Sequence, residues 1–86
     1  MNQYPIDLTV KAHWATFSKL VFGDRKPSPI QYQEMRRAFY AGFHGNLMMM
    51  KHGIGAIDDE DVAVAALEAL HAECQAFAKE IEAGRA

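Results

Sequence analysis

Apolar positions recur along the chain at steps of three and four, in three runs separated by glycine and proline. Val10, Trp14, Phe17 and Val21, widened by Leu20, form the first stripe and predict a helix over about 8–22. Asp7 or Thr9 can cap its start and Gly23 can end it. Thr9, Val10 and Thr16 make it the weakest helix former of the three. Met35, Phe39, Phe43, Leu47 and Met50 form the second stripe, in a helix predicted over 29–52. Its start is marked by Ser28 and Pro29, with Gln31 three positions after the serine. The serine oxygen can accept from the Gln31 amide, and a proline in the first turn loses no needed hydrogen bond. The third run, Ala63, Leu67, Leu70, Cys74, Phe77 and Ile81, alternates steps of four and three. That is a narrow apolar seam on a helix predicted over 59–83, capped by Asp58 or Asp59 and stopped by Gly84.

The connection "GIGAI" between the second and third runs is short, and short connections make antiparallel neighbours. The pattern therefore predicts an all-α fold, a short N-terminal helix followed by a long antiparallel helical hairpin, as one domain over 1–86. A chain of 86 residues buries a modest share of its surface, which favours a compact homo-oligomer. Ala38, Gly42, Gly45 and Met49 form a small-residue ridge on the second helix, suited to close approach of another helix. Met48, Met49 and Met50 point in three directions, so one of them is either simply exposed or part of an adaptable partner surface.

Charge changes this picture in one respect. The net charge is −2, which excludes a general nucleic-acid binder that relies on bulk charge. Residues 1–57 nonetheless carry seven Lys/Arg against three Asp/Glu, whereas residues 58–86 carry two against eight. The two parts can complement each other within a fold or between subunits. Cys74 is the only cysteine, so no internal disulfide forms, and a reducing compartment is expected. No apolar run is long enough to cross a bilayer, and "MNQYPIDLTV" lacks the pattern of a signal peptide. A cytoplasmic protein without membrane contact is expected.

The four histidines form no pair at a spacing of three or four, and "DDED" lacks the spacing of a calcium loop, so no metal is expected. No nucleophile–base arrangement is legible, and neither an enzymatic activity nor a cofactor is expected. The informative line is on the second helix. Arg37, Tyr40, His44 and Lys51 follow at steps of three, four and seven, with Arg36 beside them. Guanidinium groups bind phosphate oxygens bidentately, a tyrosine ring stacks on a base, and histidine donates to phosphate or a base edge. Lys51, or the loop carrying Arg25 and Lys26, could close such a site from a neighbouring subunit. The plainer alternative is a solvated face, or arginines paired with the acidic third helix.

The strings "QEMRRAFYAGF" and "DEDVAVAALEALHAECQAF" resemble a group of small phage- and prophage-encoded proteins of unassigned role, over about residues 31–86. A short helix followed by a helical hairpin is also similar in architecture to the phage cyclic-nucleotide sponges that counter CBASS and Thoeris immunity. Those proteins form compact oligomers and hold signalling nucleotides between subunits without cleaving them. The resemblance implies a non-catalytic anti-defence protein that sequesters a cyclic nucleotide in an infected bacterial host. The resemblance carries over no residue by position; the ligand residues would come from the basic–aromatic line and the loop before it, Arg36, Arg37, Tyr40, His44, Lys51 and Lys26. Two other roles compete with it. One is a phage interaction module that inhibits a host protein through the methionine and glycine surface. The other is a structural phage component.

Overall fold

The computed structural model describes residues 8–86; Asp7, one of the two expected caps, lies outside them. Three α-helices are present, α1 (Val10–Phe22), α2 (Pro29–Met48) and α3 (Glu60–Glu82), with no strand among the described residues. The chain divides into two compact units, Met1–Leu47 and Met48–Ala86.

In the first unit, the helix ends follow from local chemistry. The Thr9 hydroxyl accepts from the Ala12 amide at 3.1 Å and caps α1. Gly23 ends the helix at φ 57°, a value that disfavours any side chain, and its amide donates to the Lys19 carbonyl at 2.9 Å. The Arg25 guanidinium donates to the Val21 and Phe22 carbonyls at 2.5 and 3.2 Å, which satisfies two more of the helix's terminal acceptors. The Ser28 oxygen accepts from the Gln31 amide at 3.0 Å and starts α2.

The two helices are joined by aromatic rings. Phe22 pairs with Tyr32, Trp14 with Tyr32 and Phe39, and His13 with Phe43, at centroid distances of 5.4–6.4 Å. The contact order along α1 is reversed along α2, so the helices run antiparallel. Phe17 and Phe39 make the closest pair, at 4.9 Å. Among the described residues only Trp14 and Phe22 are buried, at 4% and 8% exposure. The buried indole N–H donates to the Tyr32 hydroxyl at 3.0 Å. This bond removes the cost of an unpaired donor in an apolar site.

Two expected core positions differ. Leu20 is 79% exposed and Phe22 takes its place. Helix rotation is about 100° per residue. Leu20 therefore lies well around the helix from Trp14, while Phe22 turns toward Tyr32. Leu47 is also exposed, at 41%. The expected ridge meets no close neighbour: a Cβ on Gly42 or Gly45 would find nothing within 4 Å among the described residues.

The second unit opens where α2 stops. The expected helix to residue 52 ends at Met48 and becomes a π-helical turn over Met49–Gly53, then a 3₁₀ turn over Ile54–Ala56. The Ile54 amide donates to both the Met49 and Met50 carbonyls. Two glycines close together weaken the α-helical ladder here, and the turn widens. Gly55 is constrained sterically, since a Cβ there would lie 3.1 Å from the Met50 carbonyl oxygen. Met49 is the exposed member of the methionine run, at 47%, and Met48 and Met50 are half-buried.

The Asp59 carboxylate caps α3, accepting from the Asp61 and Val62 amides at 2.9 and 3.3 Å. Gly84, at φ 75°, ends it with a paired closure: its amide donates to Ile81 and that of Arg85 to Glu80. The Arg85 side chain returns to the same residue, bonding both Glu80 carboxylate oxygens at 2.6 and 3.1 Å, and this contact raises the arginine pKa. The seam expected to be core is open: Leu67, Phe77 and Ile81 are 42%, 58% and 55% exposed, and Cys74 is exposed too. Within this unit the 3₁₀ turn Ile54–Ala56 comes against α3 and leaves these positions exposed.

Two stability outcomes follow. Tyr32→Phe removes the partner of the buried indole N–H among the described residues and should lower unfolding free energy by about 1–3 kcal/mol, read by urea unfolding of Trp14 fluorescence. A loss under about 0.5 kcal/mol would show that the bond is not structural. Gly42→Ala and Gly45→Ala, both in open helix interior, should each stabilise by about 0.5–1 kcal/mol in the same assay. Destabilisation would reveal a close neighbour at the ridge.

Candidate functional site

A concavity of the first unit runs along the N-terminal half of α2. It has a volume of about 540 Å³ and is lined by Pro29, Ile30, Tyr32, Gln33, Arg36, Arg37 and Tyr40. These positions step by three and four, so one side of one helix supplies the whole lining. That side flanks the aromatic contact with α1. Tyr32 belongs to both, because its ring packs on Trp14 and its hydroxyl holds the indole. The rotation of α2, and with it the aim of the groove, is thereby fixed by the core.

Three of the six expected ligand residues, Arg36, Arg37 and Tyr40, meet in this groove. His44 stays on the same side of α2, one turn further on, and does not line it. Lys26 lies exposed in the connection before α2. Its neighbour Arg25 is already engaged with the carbonyls that end α1. Lys51 belongs to the π-helical turn of the second unit, where the 3.6-residue step that aligned it with Tyr40 no longer applies.

Sequence reasoning missed Ile30, Tyr32 and Gln33. They were within reach of the same rule applied backwards: Tyr32 precedes Arg36 by four, and Gln33 precedes both Arg36 and Arg37 by one turn. Reading only forward from Arg37 led into the turn instead.

The groove's chemistry is cationic and aromatic. The Arg36 guanidinium lies 5.6 Å from the centre of the Tyr40 ring, over its face. Among the described residues neither arginine is in a salt bridge; the single ion pair there is Arg85 with Glu80. Both guanidinium groups thus keep their fork of donors for an anion. No acidic side chain lies in the first turn of α2, so nothing there offsets the positive end of the helix dipole. Tyr32 and Tyr40 add two ring faces, and Gln33 an amide that can donate and accept.

A groove made by one helix face is open along its length. Small-molecule sites usually cover 70–90% of a ligand, and one face cannot do so. No group of three or more His, Cys, Asp or Glu able to hold a metal is found among the described residues. No described helix is long and apolar enough to cross a membrane.

Because the arginines are exposed and outside any salt bridge, removing them should cost little stability. Arg37→Ala should change unfolding free energy by less than about 0.5 kcal/mol, and Arg36→Ala by no more than about 1 kcal/mol through the lost ring contact. Losses above about 2 kcal/mol in urea unfolding would assign them a structural role. No protein family, no curated protein and no solved structure matches the chain, so the groove is read from its own residues.

Proposed function

We propose that the chain is a non-catalytic binding protein that holds a phosphorylated aromatic ligand, a nucleotide, in the α2 groove. The observation that carries this reading is the convergence of Arg36, Arg37 and Tyr40 on one concavity, with neither guanidinium in a salt bridge. The arginines would take the phosphate oxygens, and Tyr40 or Tyr32 would stack on the base.

In the unliganded chain Arg36 covers the Tyr40 ring. Magnitudes favour its displacement. An exposed cation–ring contact contributes about 0.5–1 kcal/mol, and base stacking about 1–3 kcal/mol. A base arriving on Tyr40 therefore replaces the guanidinium and frees it for phosphate. Nothing in this sequence of contacts makes or breaks a covalent bond, so the ligand would be released intact.

The open groove needs a second surface, and a homo-oligomer could supply it, with Lys26, His44 or Lys51 of a neighbouring copy. With the resemblance noted above, this yields the complete reading: a phage anti-defence protein that sequesters a cyclic nucleotide signal inside an infected cell. A second reading, inhibition of a host protein, draws on the exposed Met49. There Met49→Glu, and not Arg37→Ala, would abolish function.

The test is calorimetric titration of the full chain with cyclic di- and trinucleotides and cyclic ADP-ribose isomers, alongside Trp14 fluorescence. At least one member should bind with a Kd below about 10⁻⁴ M. Arg36→Ala and Arg37→Ala should each weaken it at least tenfold, as expected for a lost charged hydrogen bond of about 1.5–3 kcal/mol. Absence of heat for every member at about 100 μM protein would overturn the proposal.

A further inference from the structure

The apolar seam of α3 is the largest feature that the groove leaves unexplained. Its six residues fall at 63, 67, 70, 74, 77 and 81, and three of the larger ones are 42–58% exposed. The seam itself has a property that a second α3 would satisfy. Reversed about Ala72, it places Ala63 level with Ile81, Leu67 with Phe77, and Leu70 with Cys74. Two of these three layers set a small side chain against a large one, and none sets two small ones together. Alternating large and small residues across facing positions is how a helix pair fills its layers without voids.

The dipoles of the two helices then run in opposite directions. Arg85 stands level with the other copy's Asp59 but is already bonded to Glu80, so the ends supply no free cation. The small flanking residues Ala66 and Ala78 permit close approach. Charge opposes the pairing: residues 58–86 of each copy carry two Lys/Arg against eight Asp/Glu, and the two copies of Glu73 face each other across the axis, exposed and screened.

We infer that α3 pairs antiparallel with α3 of a second copy of this chain, through Leu67, Leu70, Cys74, Phe77 and Ile81, about a two-fold axis at Ala72. A helix of 23 residues is about 35 Å long. Two such helices bury roughly 1,200 Å² together, the lower edge of stable interfaces. The inference is independent of any ligand in the groove.

Sedimentation equilibrium of the full chain, without ligand, tests it. The wild type should dimerise with a Kd of about 1–100 μM. Leu67→Glu should weaken it at least a hundredfold, with helical circular dichroism retained. Register is tested by rescue: Leu67→Glu with Phe77→Lys in the same chain puts opposite charges level in both 67–77 layers, and should restore dimers that either substitution alone removes. Glu73→Gln should tighten association two- to fivefold, most strongly at low salt. A wild type that is monomeric at about 500 μM would overturn the inference, as would a dimer indifferent to Leu67→Glu. A double variant that stays monomeric while the wild type dimerises would overturn the antiparallel register.

Discussion

The bond from the Trp14 indole to the Tyr32 hydroxyl is the constraint on which the first unit depends. Only two side chains there are buried, and Trp14 is the larger. Burying an indole is favourable only if its N–H finds a partner, and Tyr32 supplies one from the other helix at 3.0 Å. The bond is directional where the surrounding ring contacts are not. It therefore sets the rotation of α2 against α1, which the aromatic layer alone would leave loosely defined. Tyr32 also lines the groove, so the same rotation decides that Arg36, Arg37 and Tyr40 share one concavity.

That coupling separates the two arginines' roles from the core. They can be exposed and outside any salt bridge because the helix carrying them is held by aromatic rings on its adjacent side. A cation kept outside a salt bridge on such a scaffold retains its full hydrogen-bonding capacity, and the only competing contact is the weak one with Tyr40. The consequence is a site with strong donors and little enclosure. Affinity then depends on what covers the groove as much as on the groove itself.

Much of the helix pattern was legible in the sequence because end signals are local. Thr9, Gly23, Ser28, Asp59 and Gly84 each act through their own hydroxyl, carboxylate or backbone angle, and each was readable as a start or stop. What failed was extrapolation of a fixed period. Beyond Met48 the backbone widens into a π turn, and the alignment of Lys51 with Tyr40 is lost. Leu20 and Phe22 exchange roles because a helix end can turn its last ring toward a neighbour that periodicity does not know about. Arg36, Arg37 and Tyr40 were found because they lie where α2 is regular. Tyr32 was missed because its polar group serves the core, and a residue with two duties gives no separate signal.

Both units leave a surface whose chemistry needs a complement, but the needs differ in kind. The groove presents guanidinium and amide groups that water satisfies, beside the apolar Pro29 and Ile30. The α3 seam presents leucine, phenylalanine and isoleucine in a continuous line, which water does not satisfy, and continuous exposed apolar strips mark interaction surfaces. Periodicity identified that strip but could not name its partner, because a seam of steps four and three fits any helix of like spacing. The order of large and small residues within the strip carries the additional information. An order that reads as its own complement when reversed needs no second sequence to satisfy it, and a small chain with little core of its own gains most from such a partner.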